Sequence, residues 1–171
     1  MITTTDRPTP TVVGAKSEVG FTIDPRNLAH VVSLLRDAYS DPITAVLREY
    51  SVNACDAHVE AGIPNKPIRV TLPGRLDPVL KIRDFGRGLT PEQIESLFCS
   101  YGASSKRSSN DYTGCLGIGC KSAFAITDSF TVTTFHGGRA RSYSCFLDES
   151  EVGKAVLLSD KPSDETGVLV S

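Results

Sequence analysis

Helix-forming and strand-forming segments are segregated along this chain, and that segregation limits the folds open to it. Asp24-Pro25 supplies an N-cap and a proline at the first helical position, after which Leu28, Val31, Val32, Leu35 and Ala38 recur at helical spacing. Asp41-Pro42 repeats the device and predicts a second helix to about Ala61, with Gly62 placed to end it. Alternation then takes over. Ile68, Val70 and Leu72, followed by residues 79–82, read as two strands separated by Pro73-Gly74 and Asp77-Pro78. Thr90-Pro91-Glu92-Gln93 has the form of a capping box and predicts a short helix through Phe98. A further helix is expected around 121–126, and strands at 130–135, 142–147, 155–158 and 168–170, the first two of these joined across Gly137-Gly138. The pattern specifies an α/β or α+β two-layer sandwich, with one mixed, largely antiparallel sheet and helices on one face.

Length and charge exclude several classes. A chain of 171 residues with 40% hydrophobic content suits one domain with a real core. A net charge of −2 gives no global field that would draw it to nucleic acid or an anionic membrane. Lys106-Arg107 is the only adjacent basic pair, and Arg139 and Arg141 read as solvent-facing strand positions, so there is no direct nucleic-acid signal. The five cysteines, Cys55, Cys99, Cys115, Cys120 and Cys145, form no CxxC pair and have no histidine at metal-ligand spacing, which argues against zinc and against a disulfide framework. No signal peptide and no apolar run of ~18 residues is present, so a cytoplasmic, reducing compartment and no transmembrane segment are expected. Residues 1–20 read as a loose arm, with a short strand about 19–23, and residues 21–171 as the folded domain. The stretch 100–113 is a long polar loop, of the sort that carries function or is disordered.

Three segments carry chemistry. On the second helix, Glu49, Asn53 and Asp56 are spaced four and three apart and share one face, opposite Val46, Leu47, Tyr50, Ala54 and Ala57. Alone, that face reads as the solvated side of an amphipathic helix. In company it has another use: an Asn oxygen is a hard ligand that can join phosphate oxygens around Mg²⁺, and a carboxylate one turn away can orient or deprotonate a water. Asp84 follows, where an apolar strand breaks into Gly86 and Gly88. A carboxylate only accepts hydrogen bonds, so it suits an adenine amino group and repels a guanine oxygen, while the glycines let backbone pass close to a flat base. As an isolated motif this is equally the form of a capped turn. The third segment, Gly114-Cys115-Leu116-Gly117-Ile118-Gly119, ends at a predicted helix start, where backbone N–H groups can face phosphate oxygens. Lys121 and Ser122 add a cation and a hydroxyl. The segment misses the Walker A pattern by the inserted Cys120, and it follows a polar loop rather than a buried strand. Together the three segments point to ATP with Mg²⁺.

In this order the segments resemble the GHKL ATPases, named for gyrase, the ninety-kilodalton heat-shock chaperone, histidine kinases and MutL, whose nucleotide site is the Bergerat fold. Glu49, Asn53, Asp56 and Ala57 match the N box; Asp84, Gly86 and Gly88 match the first glycine box; Gly114, Gly117 and Gly119 match the second. The similarity runs from about Pro42 to the C-terminus. It implies Glu49 as general base, Asn53 as the Mg²⁺ ligand, Asp84 as the adenine reader, and Gly117 with Gly119 as the phosphate cradle, with Leu116 just before them and Ile118 between them. It implies residues 100–113 as an ATP lid from which Lys106 reaches a phosphate. The family closes its adenine pocket with a Gly-Thr pair on a late strand. Here Thr166-Gly167-Val168 puts valine at the threonine position, and Thr166, two residues away on the same strand face, is the expected substitute.

Within the superfamily, residues 101–106, 119–124 and 127–132 resemble the RIIA-type rapid-lysis proteins of tailed bacteriophages, which are longer chains. That resemblance implies an N-terminal fragment of a larger protein, a host bacterial cytoplasm with peripheral membrane association, an ATP-dependent homodimer in the full-length protein, and a protein partner of unknown identity. Three functions fit the pocket: an ATPase switch, a GHKL-type protein kinase, and a nucleotide-gated module that hydrolyses nothing.

Overall fold

The computed structural model describes residues 40–98, 119–148 and 153–171. The expectations for the arm 1–20, the strand 19–23, the helix 24–38, the loop 100–113 with Lys106, and Gly114, Leu116, Gly117 and Ile118 lie outside the described residues.

Helix α1 spans Pro42–Glu60, within a residue of its expected end. The Asp41 carboxylate caps it, accepting from the Thr44 amide at 3.1 Å and from the Thr44 hydroxyl at 2.6 Å. Ala61 is the C-cap, and Gly62 at φ 75° turns the chain away. Val46, Tyr50, Ala54 and His58 are buried at successive intervals of four, so the inward stripe of α1 carries a tyrosine and a histidine among its apolar residues.

Strands β1 (Arg69–Thr71) and β2 (Lys81–Arg83) are shorter than the alternation suggested. Among the described residues β1 is the edge of the sheet, pairs only with β2, and is exposed along its length. Helix α2 (Pro91–Phe98) starts with the expected reciprocal cap: Gln93 Oε1 accepts from the Thr90 amide at 2.9 Å, and Thr90 Oγ1 accepts from the Gln93 amide at 3.2 Å. The helix expected at 121–126 is a 3₁₀ helix, Gly119–Ala125, with three residues per turn and so wound more tightly than an α-helix, and closed by the Ile126 amide on Ala123 O at 2.9 Å.

Strands β3 (Ser129–His136), β4 (Arg139–Leu147), β5 (Gly153–Pro162) and β6 (Gly167–Val170) complete a six-stranded sheet in the order β1-β2-β6-β3-β4-β5. Gly137 and Gly138, at φ 62° and 75°, join β3 to β4, since a two-residue hairpin turn of this hand needs positive φ at both positions. Every described strand pair is antiparallel, in keeping with the expected largely antiparallel sheet. Arg139 and Arg141 are partly exposed on β4, where both hold Asp160 of β5, at 2.6 and 3.2 Å.

The helices lie on one face, because a single apolar cluster unites Val46, Tyr50 and Ala54 of α1, Ile94 of α2 and Phe124 of the 3₁₀ helix with Phe130, Val132, Tyr143 and Cys145 of the sheet. Phe124 meets Phe130 edge-on at 5.0 Å between centroids, and Tyr50 lies 6.4 Å from Phe130. The Tyr50 hydroxyl donates to Cys120 O at 2.8 Å, which ties the 3₁₀ helix to α1.

β6, the last described strand, enters the sheet between β2 and β3. Beside it on β3, Thr134 is fully buried and satisfies both backbone groups of Leu89: its hydroxyl accepts from Leu89 N at 2.7 Å and donates to Leu89 O at 2.9 Å. Thr134→Val keeps the shape and orphans both groups, so it is expected to lower unfolding free energy by about 1–3 kcal/mol. Urea denaturation measures this, and an unchanged midpoint would contradict the role given to the hydroxyl.

Candidate functional site

The insertion of β6 beside β2 brings residues 84 and 168, far apart in the chain, into contact. Asp84 N donates to Val168 O at 2.9 Å, and Asp84 Oδ2 accepts from Val168 N at 3.0 Å. Asp84 Oδ1 accepts from Gly86 N at 2.8 Å. The side chain is buried, yet each carboxylate oxygen has taken only one backbone donor and keeps a second lone pair. Burial pushes the Asp84 carboxyl above the usual carboxylate range, against the pull of the Gly86 and Val168 amides and of the Arg83 charge. Because both oxygens already face N–H donors, an added proton would have to occupy a remaining lone pair.

Glycines make this approach feasible. Gly167 has φ 102°, and a Cβ there would run into the Asp84 backbone oxygen and lie 2.7 Å from Asp84 Oδ1. A Cβ on Gly86 would lie 2.9 Å from Ala57 O, so α1 and the 84–88 segment meet at backbone distance. Gly88, at φ 73°, passes against Phe135 O in the same way.

Side chains hold the segment from both sides. His58 is 1% exposed, and its Nε2 accepts from Phe85 N at 2.8 Å while Nδ1 faces Lys66 O at 2.8 Å. A carbonyl can only accept, so the ring carries its proton on Nδ1. His136 Nδ1 donates to Arg87 O at 2.9 Å at the other end. Arg83 is buried between two rings, 5.0 Å from the Phe85 centroid and 4.1 Å from that of Phe135. Its guanidinium donates to Asp84 O, to Thr166 O at 2.7 Å and to Glu165 Oε2 at 3.1 Å.

The carboxylate face of α1 is turned inward rather than solvated. Asp56 is buried, Asn53 is half-buried, and the Glu49 side chain is 21% exposed. Glu49 Oε1 accepts from Arg48 at 2.7 Å, while Oε2 lies where a Cβ on Gly119 would fall. The last glycine of the third segment therefore abuts the first carboxylate of the helix motif, although 70 residues separate them in the chain. Asn53 makes no hydrogen bond to the described residues that would commit its amide. Lys121 and Ser122 are buried within the 3₁₀ helix, with Lys121 Nζ 3.5 Å from Cys120 Sγ. Burial pushes the Cys120 thiol up, which does not favour a reactive thiolate.

The expected site residues thus form two groups. Glu49 abuts Gly119, with Asn53 and Asp56 further along the same helix; Asp84 bonds Gly86 and Val168, and Gly88 passes against Phe135 O. Ala57 on Gly86 and His58 on Phe85 join them. Thr166 does not share the strand face of Val168. It precedes β6, is exposed, and its hydroxyl donates to Phe85 O at 3.4 Å, because the turn at Gly167 redirects the chain. The sequence reading missed His58, Arg83, Thr134 and His136. Only His58 left a signal, its interval of four from Ala54 and Tyr50, which puts a polar ring on an apolar stripe.

Among the described residues no group of His, Cys, Asp and Glu is placed to hold a metal ion by itself, and no helix is long and apolar enough to cross a membrane. A divalent ion here would need oxygens from a bound ligand beside protein donors, and the available Asn53 amide is of the type that Mg²⁺ accepts.

A family model described as histidine kinase-, DNA gyrase B-, and HSP90-like ATPase matches residues 39–168. No curated protein matches the chain.

The raised Asp84 carboxyl has a sign that can be measured. Its stabilising contribution is full below the unfolded value of 3.8 and is lost as pH rises through the higher folded value. Relative to Asp84→Asn, the unmodified chain should gain unfolding free energy as pH falls from neutral toward 4. Urea titrations at stepped pH test this; a difference that does not vary with pH would contradict it.

Proposed function

The chain belongs to the histidine kinase-, DNA gyrase B- and HSP90-like ATPase family and contains its ATP-binding domain, and from that premise we propose that it works as a Mg²⁺-dependent nucleotide switch that hydrolyses ATP slowly. The carrying observation is that Gly119 abuts the Glu49 carboxylate, with Asn53 one turn further along α1. In this reading Asp84 accepts from the adenine amino group, the glycines of the third segment receive the phosphates, and Asn53 holds Mg²⁺. The ion supplies charge neutralisation at the phosphates. Glu49 Oε2, the oxygen turned toward Gly119, takes the proton of the attacking water, while Arg48 on Oε1 fixes the orientation of the carboxylate.

The same ion pair favours a second reading. One Glu49 oxygen is already engaged by Arg48, which suits a module that binds nucleotide and changes an interface without hydrolysis. A kinase acting on its own histidines gains nothing from His58, which is buried and bonded at both nitrogens. The finer assignment, a bacteriophage RIIA-like protein whose nucleotide state governs homodimer formation or a protein partner, is supported by residues 101–106, 119–124 and 127–132 alone.

Phosphate release and calorimetry on the same preparations decide among these. Glu49→Gln should lower Mg²⁺-dependent turnover about 100-fold or more while leaving ATP affinity within about threefold. Asn53→Ala should remove most of the Mg²⁺ dependence of ATP binding. Turnover that is unchanged in Glu49→Gln would sink the role of the base, and tight ATP binding with no turnover in the unmodified chain would establish the second reading.

A further inference from the structure

Among the described residues His58 is the most deeply buried charge-capable group that the proposed reaction does not use, with 1% of its surface exposed. Its two nitrogens are spent on different segments. Nδ1–H donates to Lys66 O in the link between α1 and β1, and Nε2 accepts from Phe85 N at 2.8 Å. Phe85 lies between Asp84, which carries the candidate base-reading carboxylate, and Gly86, whose amide that carboxylate accepts. The Phe85 ring is 6.2 Å from the His58 ring, with Lys66 at 4.4 Å and Arg83 at 5.0 Å from its centroid.

The geometry points to His58 as a positioning residue: through Nε2 it fixes the turn at Asp84–Gly86, and so sets how well that carboxylate tells adenine from guanine. The inference rests on the adenine role proposed for Asp84. The physical reason is the burden on this turn. Asp84 Oδ1 holds Gly86 N, Oδ2 holds Val168 N, and Phe85 N would be a part-buried donor without its acceptor if Nε2 were absent. A turn that moved to find water for Phe85 N would carry Asp84 with it. His136 does not duplicate the function, because it binds Arg87 O at the far end of the segment.

Two substitutions separate the nitrogens. In His58→Gln the side-chain oxygen reaches the position of Nε2 and can still accept from Phe85 N; in His58→Asn the amide reaches the position of Nδ1 and can still donate to Lys66 O. Calorimetric titration with ATP and GTP should find the Gln variant within about threefold of the unmodified chain, and the Asn variant weaker for ATP by about tenfold or more with a reduced preference over GTP. Nitrogen-15 spectra of the unmodified chain at neutral pH should show His58 protonated on Nδ1 only, and the Phe85 amide should exchange slowly in it and in the Gln variant. Equal losses in the two variants, a proton on Nε2, or fast exchange at Phe85 in the unmodified chain would overturn the inference. An unmodified chain that fails to bind ATP would overturn the nucleotide reading and this inference with it, whereas ATP binding with equal losses overturns the role of His58 alone.

Discussion

The contact between Asp84 and Val168 organises the rest of the molecule. It is a strand-like pair of backbone and side-chain hydrogen bonds between the end of β2 and the start of β6, and it closes only because Gly167 has no side chain. A buried carboxylate needs partners, and backbone amides are the least costly, since their positions are already set by the sheet. Once Asp84 is fixed there, the 84–88 segment must leave the sheet beside α1, where Ala57 and His58 receive it.

The surrounding charges follow from the same constraint. Arg83 cannot reach bulk water on its own strand, so it is neutralised by Glu165, satisfied by the carbonyls of residues 84 and 166, and packed between two aromatic rings. These contacts rigidify the floor of the candidate pocket. At its other end, the aromatic cluster of Tyr50, Phe124 and Phe130 seats the 3₁₀ helix, which carries Gly119 to Glu49. The proposed switch would place base reading at the Asp84 segment and phosphate contact at the glycine that the 3₁₀ helix carries.

Elements with strong local signals were legible in the sequence. Asp41-Pro42 and Gly62 bracket α1, Thr90 with Gln93 starts α2, and Gly137-Gly138 forms the hairpin, because each depends on hydrogen bonds or dihedrals within a few residues. The shared face of Glu49, Asn53 and Asp56 was also legible, since helical spacing fixes it. Where signals were weak, the sequence misled: β1 and β2 are shorter than their alternation, the helix after Gly119 is 3₁₀, and Thr166 lies off β6 because a positive φ at Gly167 turns the chain.

Residue type and spacing by themselves determined the family, the helix that carries the carboxylate and amide, and the order of the three segments, because these are properties of chain-local chemistry. Tertiary structure alone decided that β6 enters the sheet beside β2, that Asp84 is held by the amide of Val168, that His58 faces Phe85, and that Gly119 meets Glu49. Each of these joins residues tens of positions apart. Such contacts depend on strand order and on the absence of a Cβ at the crossing, and a sequence pattern carries no record of either until the chain has closed on itself.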